Sequence, residues 1–423
     1  MNAPLRRGVC PGLSAPLPTG DGLLVRLRPI GPIALAAFDK FCALAAAHGN
    51  GIVEVTARGS IQVRGLSPVS APRFAADIAA LGIAAEDGVP ILTNPLAGLA
   101  EEVVDLTAGA ADLRRVVASL AARLSPKISV VLDGGGAFDL DALTADVRLR
   151  AACWQNDAVL AVSVGGDAAS AAPLGCVAPA EGSRTVVRLL EVLANRGPGA
   201  RARDVLMVEG AGPFQSAVGN LLLRGVTPRI EARRSDALGV HALRSGCSAL
   251  GIGLAFGHAD AASLRGLIEV AERAGASALI AAPGRTLIAV GLASAHAASE
   301  FAAEAERLGF IVRADDPRRR VIACAGAPLC ASGHVATRAM APRIAEAIAP
   351  LHREPASIHL SGCAKGCAHP KKAALTIVGS SAGCELVAHG TTRDAPFAVI
   401  ASEELPGAVV KYAHAEKREV QHG

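Results

Sequence analysis

The sequence predicts an α+β fold in which one pattern of strands and helix occurs twice and a larger insert follows each copy. Two stretches support this prediction, since each contains a strand, a loop, an amphipathic helix and a glycine-punctuated strand with one arginine near its start. The copies lie about half the chain apart, and similarity at a fixed spacing indicates an internal duplication. At 423 residues the chain is long enough for two to four compact units.

The first copy opens with the strand-like segment LLVRLRP over residues 23–29. Apolar side chains at helical spacing then predict a helix over 34–49 with one buried face. That face consists of Leu35, Phe38, Phe41, Cys42 and Ala45. The segment over 52–63 carries Arg58 and is rich in β-branched residues, which favours a strand.

The second copy reads ALGIGLAFG over 249–257, AASLRGLIEVAERAGA over 261–276 and ALIAAPGRTLIAVGL over 278–292. Its helix is predicted to bury Leu264, Leu267, Ile268 and Ala271. Arg285 occupies the position in this copy that Arg58 occupies in the first. Between the copies, a helix is predicted over 111–124 and a strand over 127–135.

The composition argues against several classes of protein. Hydrophobic residues make up 51% of the chain, yet no uncharged stretch reaches the roughly 20 apolar residues that a bilayer crossing needs. A net charge of +4 and only nine Phe, one Trp and one Tyr argue against nucleic acid as the main partner. The N-terminus MNAPLRRGVCPGL lacks the apolar core of a secretory signal, so we expect a cytoplasmic protein with reduced cysteines. A small-molecule ligand is therefore expected.

Four of the ten cysteines form two close pairs, Cys324-x5-Cys330 and Cys363-x3-Cys367. The other six are scattered: Cys10, Cys42, Cys153, Cys176, Cys247 and Cys384. Thiolate is a soft ligand, and two close pairs indicate zinc or an iron–sulfur cluster. The five-residue gap is longer than structural zinc sites favour, and glycines around both pairs allow backbone to approach a cluster. These features favour a cluster over zinc and over buried structural cysteines.

The segments around these cysteines, CAGAPLC and SGCAKGCAHP, resemble the sulfite and nitrite reductase family. The segment VTARGSIQVRGL resembles it too, through Thr56, Arg58 and Gln62, and the resemblance spans about residues 20–400. It implies that the four paired cysteines hold a [4Fe–4S] cluster and that the last of them faces a tetrapyrrole. The implied fold is a pseudo-twofold duplication in which ferredoxin-like half-domains alternate with larger sulfite-reductase-like α/β domains. The expected bounds are 1–85, 86–234, 235–316 and 317–423, with the cluster in the last.

Reductases of this family gather several cations over a metal-bound oxyanion, and this sequence keeps only part of that set. Arg58 and the NPLAG turn over 94–98 match the family, but its R-N-[VI] segment reads VPI over 89–91. Its K-x-K pair reads KIS over 127–129. Because a small dianion in a buried site needs charge compensation, these losses make sirohaem and oxyanion reduction the less expected alternative. Arg58 and Lys127 are the candidate catalytic residues.

Two segments, RRGVCPGLSAPLPTGDGLLVRL and LSGCAKGCAHP, resemble the precorrin-3B synthase branch of the family. That branch implies an O2-dependent monooxygenase that converts precorrin-3A to precorrin-3B in aerobic cobalamin biosynthesis, with C20 hydroxylation and γ-lactone formation. NADH would supply electrons through a separate electron-transfer partner, because the sequence has no flavin or NAD fingerprint. Two alternatives stay open: a sirohaem-dependent sulfite or nitrite reductase, and a non-enzymatic [4Fe–4S] electron carrier.

In this branch, the cleft that holds sirohaem in the reductases would hold the substrate, and arginines would pair with its carboxylates. The candidates by position in the two copies are Arg26, Arg28, Arg58, Arg64 and Arg285. The branch is also associated with a mononuclear non-haem iron, which two histidines and a carboxylate often hold. The histidines near the cysteine pairs are His334, His359, His369 and His389. We nominate His369 first as a ligand because it follows Cys367 by two residues.

Overall fold

The computed structural model describes residues 11–422, except 87, 232, 234–235, 352–356 and 370, with side chains described as far as residue 415. Cys10 therefore lies outside the described residues. Within them the chain forms four five-stranded sheets with helices packed against them. None of the helices in this part of the chain is long and apolar enough to cross a membrane.

Along the chain, the elements fall into four groups. The first contains β1 (Leu17–Thr19), β2 (Gly22–Leu27), β3 (Ile33–Ala34), α1 (Leu35–His48), β4 (Ile52–Val55), β5 (Ile61–Leu66) and α2 (Ser70–Ala80). The second contains β6 (Ile91–Thr93), α3 (Thr107–Leu120), β7 (Val130–Asp133), β8 (Ala145–Trp154), β9 (Asp157–Gly166), β10 (Ala172–Val177), α4 (Gly182–Ala194), α5 (Ala202–Glu209) and α6 (Gly212–Val218). The third contains β11 (Gly239–Ala242), β12 (Ser248–Gly253), β13 (His258–Asp260), α7 (Ala261–Arg273), β14 (Ala278–Ala282), β15 (Thr286–Leu292) and α8 (Ala295–Arg307). The fourth contains β16 (Val321–Ala323), α9 (Thr337–Ile348), β17 (Ile358–Ser361), β18 (Ala373–Ser380), β19 (Gly383–Gly390), β20 (Ala398–Ile400) and α10 (Leu405–His422).

The two smaller sheets, one in each copy of the repeat, have matching strand orders. These orders are β1-β2-β5-β4-β13 and β11-β12-β15-β14-β3. Each sheet contains one short edge strand from the other copy, because β13 pairs antiparallel with β4 and β3 pairs antiparallel with β14. Both exchanged strands directly precede a helix, α7 and α1 respectively. The predicted duplication is confirmed, and the structure adds that the two copies exchange strands.

One hydrophobic core joins the two copies, and α1 and α7 pack against each other within it. The predicted buried face of α1 is confirmed at Leu35, Phe38, Phe41, Cys42 and Ala45. In α7 the predicted residues Leu264, Leu267, Ile268 and Ala271 are buried, together with Ala261 and Val270. Burial of each large apolar side chain contributes about 1.5–3 kcal/mol, so this shared core holds both copies together.

The two larger sheets also match each other, in the orders β6-β7-β8-β9-β10 and β16-β17-β18-β19-β20. In each, the first three strands are parallel and the last two are antiparallel to their neighbours. The helix predicted over 111–124 is α3, which continues as a short 3₁₀ turn, and the strand predicted over 127–135 contains β7. The predicted alternation of ferredoxin-like half-domains with larger α/β units is therefore confirmed. The exact domain bounds stay a proposal.

The parallel pair β16–β17 positions the candidate site. Val321 pairs with Ile358 and Ala323 with Leu360, so the two strands end side by side. One cysteine pair begins directly after β16, and the other begins two residues after β17. Because the carboxyl ends of adjacent parallel strands meet at one sheet edge, both cysteine-bearing loops begin at that edge.

Candidate cofactor and substrate site

The structure brings the four predicted cluster cysteines together. They are Cys324, Cys330, Cys363 and Cys367, and the first three interact electrostatically with the last. Burial of its sulfur and these neighbouring thiols raise the pKa of Cys367, while the guanidinium of Arg64 acts in the opposite direction. Lys365 Nζ donates to Ser332 Oγ at 2.9 Å and so links the two loops that carry the cysteines. Cys324 and Cys363 lie 39 positions apart in the sequence, and the pairing of β16 with β17 brings them together.

Backbone approaches the cysteine sulfurs closely. A methyl group at Gly20 would lie 2.4 Å from Cys330 Sγ, so the turn between β1 and β2 contacts the first loop. Gly362 donates its backbone N–H to Cys324 Sγ at 3.1 Å. Thr337 donates its hydroxyl to the carbonyl of Cys324 at 2.7 Å and fixes the backbone there. Hydrogen bonds to ligand sulfurs are one means by which proteins set the potential of iron–sulfur clusters.

A zinc ion and a [4Fe–4S] cluster require different spacings of their cysteine ligands. Among the described residues, no three His, Cys, Asp or Glu side chains converge closely enough to hold one metal ion. A single zinc ion would bring its sulfurs to within about 4 Å of one another, given a Zn–S distance of about 2.3 Å. A [4Fe–4S] cube spaces its ligands more widely, because each thiolate binds a different iron. The assignment of the four cysteines to a cluster rather than to zinc stays a prediction.

The predicted second iron finds no such ligand set. Two histidines and a carboxylate do not converge in the part of the chain that the structure describes. His334 is exposed, and His389 Nε2 lies 3.5 Å from the hydroxyl of Tyr412. The nomination of His369 as an iron ligand therefore stays a prediction.

Arg64 joins the N-terminal turn to the cysteine loops. Its Nε and Nη2 donate to the carboxylate of Asp21, both at 2.8 Å, and the Asp21 side chain is only 3% exposed. The guanidinium charge also acts on Cys367. Asp21 thus accepts the two hydrogen bonds that Arg64 would otherwise donate to a substrate carboxylate. The predicted role of Arg64 in binding substrate stays a prediction.

Glu54 is the carboxylate at the centre of an arginine cluster. Arg338 Nη2 donates to Glu54 Oε1 at 2.9 Å, and Arg64 Nη1 lies 3.9 Å from Oε2. With the Gln62 amide oriented to satisfy its neighbours, its nitrogen donates to Glu54 Oε2 at 3.1 Å. The Gln62 oxygen then accepts from Arg26 Nη2 and Nε at 2.6 and 2.8 Å. Arg338 was not predicted from the sequence, because its partner Glu54 lies 284 positions away and no local pattern connects them.

The turns that carry Arg58 and Arg285 contact each other at the junction of the two copies. Arg58 forms an isolated antiparallel bridge with Pro283, and its Nη1 donates to the carbonyl of Thr144 at 2.8 Å. Arg285 has a φ of 63°, and its partly buried guanidinium makes no hydrogen bond or ion pair within the described residues. A methyl group at Gly257 would lie 2.5 Å from Arg285 Cδ, so this glycine provides the space in which the side chain lies.

Arg28 and Lys127 make no hydrogen bond or ion pair with the cysteine loops in the described part of the chain. Arg28 Nη2 donates to the carbonyl of Gly88 at 3.0 Å and interacts electrostatically with Glu86. Lys127 is exposed. The predicted roles of Arg28 in substrate binding and of Lys127 in catalysis stay predictions.

Two histidines form a group beside the cysteine loops. His359 lies within β17 and is fully buried, and neither ring nitrogen has a hydrogen-bond partner in the described structure. Its ring centroid lies 5.6 Å from that of His369, with the planes at 69°. Burial, His369 and Arg285 lower the pKa of His359 to about 4, so its ring is neutral at pH 7.

Comparison with known proteins agrees with this architecture. Residues 15–81 match the nitrite/sulfite reductase ferredoxin-like half domain. The structure of the NirA protein of Mycobacterium tuberculosis superimposes with a TM-score of 0.72, at 18% identity, and covers 92% of this chain and 79% of NirA. The chain thus has the fold of the sulfite and nitrite reductases, and its first half-repeat matches their ferredoxin-like half domain.

A relative with its own curated name identifies the branch. The chain is 39% identical over 403 residues to a precorrin-3B synthase of Sinorhizobium sp., which covers 94% of this chain and 86% of the relative. The chain therefore belongs to the precorrin-3B synthase family.

Proposed function

We propose that this protein converts precorrin-3A to precorrin-3B as an O2-dependent monooxygenase of aerobic cobalamin biosynthesis. The observation that carries the proposal is the similarity, over nearly the whole chain, to a curated precorrin-3B synthase. The site is consistent with it, because Arg64 of the first half-repeat acts electrostatically on Cys367 and Arg285 of the second acts on His369. A substrate rimmed with carboxylates requires such cations.

The reaction requires two electrons from outside the protein. One atom of O2 enters the macrocycle as the C20 hydroxyl group and the other leaves as water, while a substrate acetate closes the γ-lactone. NADH is the proposed source of the electrons. Since the sequence has no flavin or NAD fingerprint, a separate reductase is proposed to transfer them.

Cys324, Cys330, Cys363 and Cys367 are the residues that would hold a [4Fe–4S] cluster. When bound, such a cluster accepts and passes on single electrons. The chain contributes the N–H of Gly362, which points at Cys324 Sγ, and the charge of Arg64 beside Cys367. Both favour an electron-rich sulfur environment by stabilising negative charge.

The proposed substrate site is the surface that Arg285 and Arg338 share with the cysteine loops. Arg338 keeps Nε and Nη1 buried without hydrogen-bond partners in the described structure, although its Nη2 binds Glu54. Free guanidinium donors in a buried position are complementary to carboxylates. Their role is to hold the macrocycle in one orientation and to exclude water. A mononuclear iron fits no donor set among the described residues, so its ligands are left open.

The direct test is oxygen uptake by anaerobically purified protein after addition of precorrin-3A, reductant and O2. The proposal predicts uptake that depends on precorrin-3A and a visible spectrum with cluster absorption but no sirohaem bands. Sirohaem bands with sulfite- or nitrite-dependent oxidation of a reduced dye would instead identify an oxyanion reductase. Cluster absorption without precorrin-dependent oxygen uptake would indicate an electron carrier.

A further inference from the structure

His359 is a buried polar side chain for which the described structure supplies no partner. It lies in β17 between Ile358 and Leu360, which pack into the core that α9 also lines. Because strand residues alternate between faces, His359 points to the opposite face of the sheet. Its side chain is fully buried, and neither Nδ1 nor Nε2 has a hydrogen-bond partner among the described residues.

An unsatisfied buried polar group costs about 1–3 kcal/mol of stability. An apolar side chain at this position of β17 would avoid that cost. The imidazole is therefore best explained by a ligand group that hydrogen-bonds to it when the site is filled.

The neighbours of His359 define the kind of ligand. His369 lies with its ring 5.6 Å away, and its Nε2 lies 3.3 Å from the carbonyl of Lys372, which holds the ring in place. The charge of Arg285 acts on both imidazoles. Gly257 leaves the space in which the Arg285 side chain lies, as a methyl group there would contact its Cδ at 2.5 Å.

Electrostatics decides between a metal ion and an anion. A cation bound by the two imidazoles would be repelled by Arg285. The charge of Glu54 acts on that guanidinium, but no described carboxylate makes a hydrogen bond or ion pair with it. An anion would be attracted by the same charge and would satisfy imidazole N–H donors at the same time. The group is therefore complementary to an anion.

We infer that Arg285, His359 and His369 bind one carboxylate of the tetrapyrrole substrate. This inference rests on the proposed function, since precorrin-3A carries acetate and propionate groups around its rim. An inorganic oxyanion shares the same chemistry. A carboxylate on a large macrocycle is favoured because the reductase-type cations of the R-N-[VI] and K-x-K segments are missing from the chain.

The test uses the cluster-loaded protein and uroporphyrin III, a stable tetrapyrrole with eight carboxylates, as the probe. Binding is followed by porphyrin fluorescence under anaerobic conditions. We expect His359→Leu to bind uroporphyrin III about tenfold more weakly or worse, because a hydrogen bond to a charged carboxylate is lost. His359→Gln retains an N–H donor and should lose less. His296→Gln, on an exposed side chain of α8, is the matched control and should bind like the wild type.

Three further measurements separate the outcomes. The octamethyl ester of the porphyrin, which has no free carboxylate, should bind the wild type and His359→Leu equally. The content of acid-labile sulfide must match the wild type, which shows that each variant is folded around its cluster. Unchanged uroporphyrin binding by both His359 variants would overturn the inference. So would a selective effect on sulfite binding, or the loss of one iron beyond the cluster from His359→Leu.

These results are distinguishable from failure of the proposed function. If the wild type oxygenates precorrin-3A while His359→Leu binds and reacts normally, only the carboxylate site is wrong. If the wild type consumes no O2 with precorrin-3A, the proposed function is wrong whatever the variants bind.

Discussion

Arg64 and Asp21 form a two-pronged ion pair, with both hydrogen bonds at 2.8 Å, directly beside the cysteine loops. The guanidinium charge also acts on the thiol of Cys367. The pair therefore connects the β1–β2 turn to the cluster region, where Gly20 already contacts Cys330. The ion pair therefore links the first half-repeat to the loops that carry the cysteines.

We predict that Asp21→Asn lowers the free energy of unfolding by about 1.5–3 kcal/mol, because it removes the carboxylate that Arg64 binds at 2.8 Å and leaves the guanidinium with the more distant Glu54, at 3.9 Å. Urea unfolding followed by circular dichroism measures the effect. Asp112→Asn removes an exposed partner of Arg115 and should change stability by less than about 0.5 kcal/mol. Equal effects of the two substitutions would contradict a buried, stabilising ion pair at Asp21.

Cys367→Ser should abolish both the cluster absorption and the activity, whereas Cys384→Ser should retain both. Cys384 is buried in β19, with its sulfur 3.5 Å from Ser402 Oγ, and lies in the core of the fourth sheet. Iron and sulfide analysis of the purified variants checks the prediction. If both variants keep the full complement of iron and sulfide, the ligand assignment is wrong.

Arg338→Gln should raise the KM for precorrin-3A about tenfold, equivalent to about 1.4 kcal/mol of binding, because its free guanidinium donors are proposed to face the substrate. Arg343→Gln changes an exposed arginine of the same helix and serves as the control. Steady-state oxygen uptake measures both. An unchanged KM in Arg338→Gln would show that Arg338 contacts Glu54 but does not bind the substrate.

Asp316 should make a pH-dependent contribution to stability. Burial raises its pKa, but the hydrogen bonds and charge of Arg318 outweigh burial and leave the pKa below its ordinary value of 3.8. The stabilisation is therefore complete above about pH 4 and is lost as the pH falls through the lower pKa of the folded state.

Urea unfolding at a series of pH values should show Asp316→Asn to be less stable than the wild type by about 1.5–3 kcal/mol at pH 5–7. That difference should shrink below about pH 4. Asp315→Asn, on a neighbouring exposed side chain, should show little change at any pH. A difference for Asp316→Asn that grows in acid would contradict the assigned shift.

The sequence was sufficient to predict those features of the fold and site that depend on local patterns. Helical periodicity identified the buried faces of α1 and α7, and the two close pairs in the sequence are four cysteines that lie near one another in the folded chain. The strand exchange was not predictable in this way, because β3 contains two residues and β13 three, too few for any periodicity. Strands that short are defined by their partners, which lie in the other copy.

The residues of the candidate site also divide into those that the sequence predicts and those that only the structure reveals. Arg285 was predicted because the repeat aligns it with Arg58. Arg338 and His359 were not predicted as substrate-binding residues, since a helical arginine and a histidine within an apolar strand have ordinary structural explanations. Their significance depends on partners that are missing or distant, which only the folded chain reveals.

The measurement that tests the central claim most directly is mass spectrometry of the product formed from precorrin-3A under 18O2. The account predicts a product with one labelled oxygen atom, formed only when reductant is present. A product that takes its new oxygen from water, or no product while sulfite or nitrite is reduced, would contradict it.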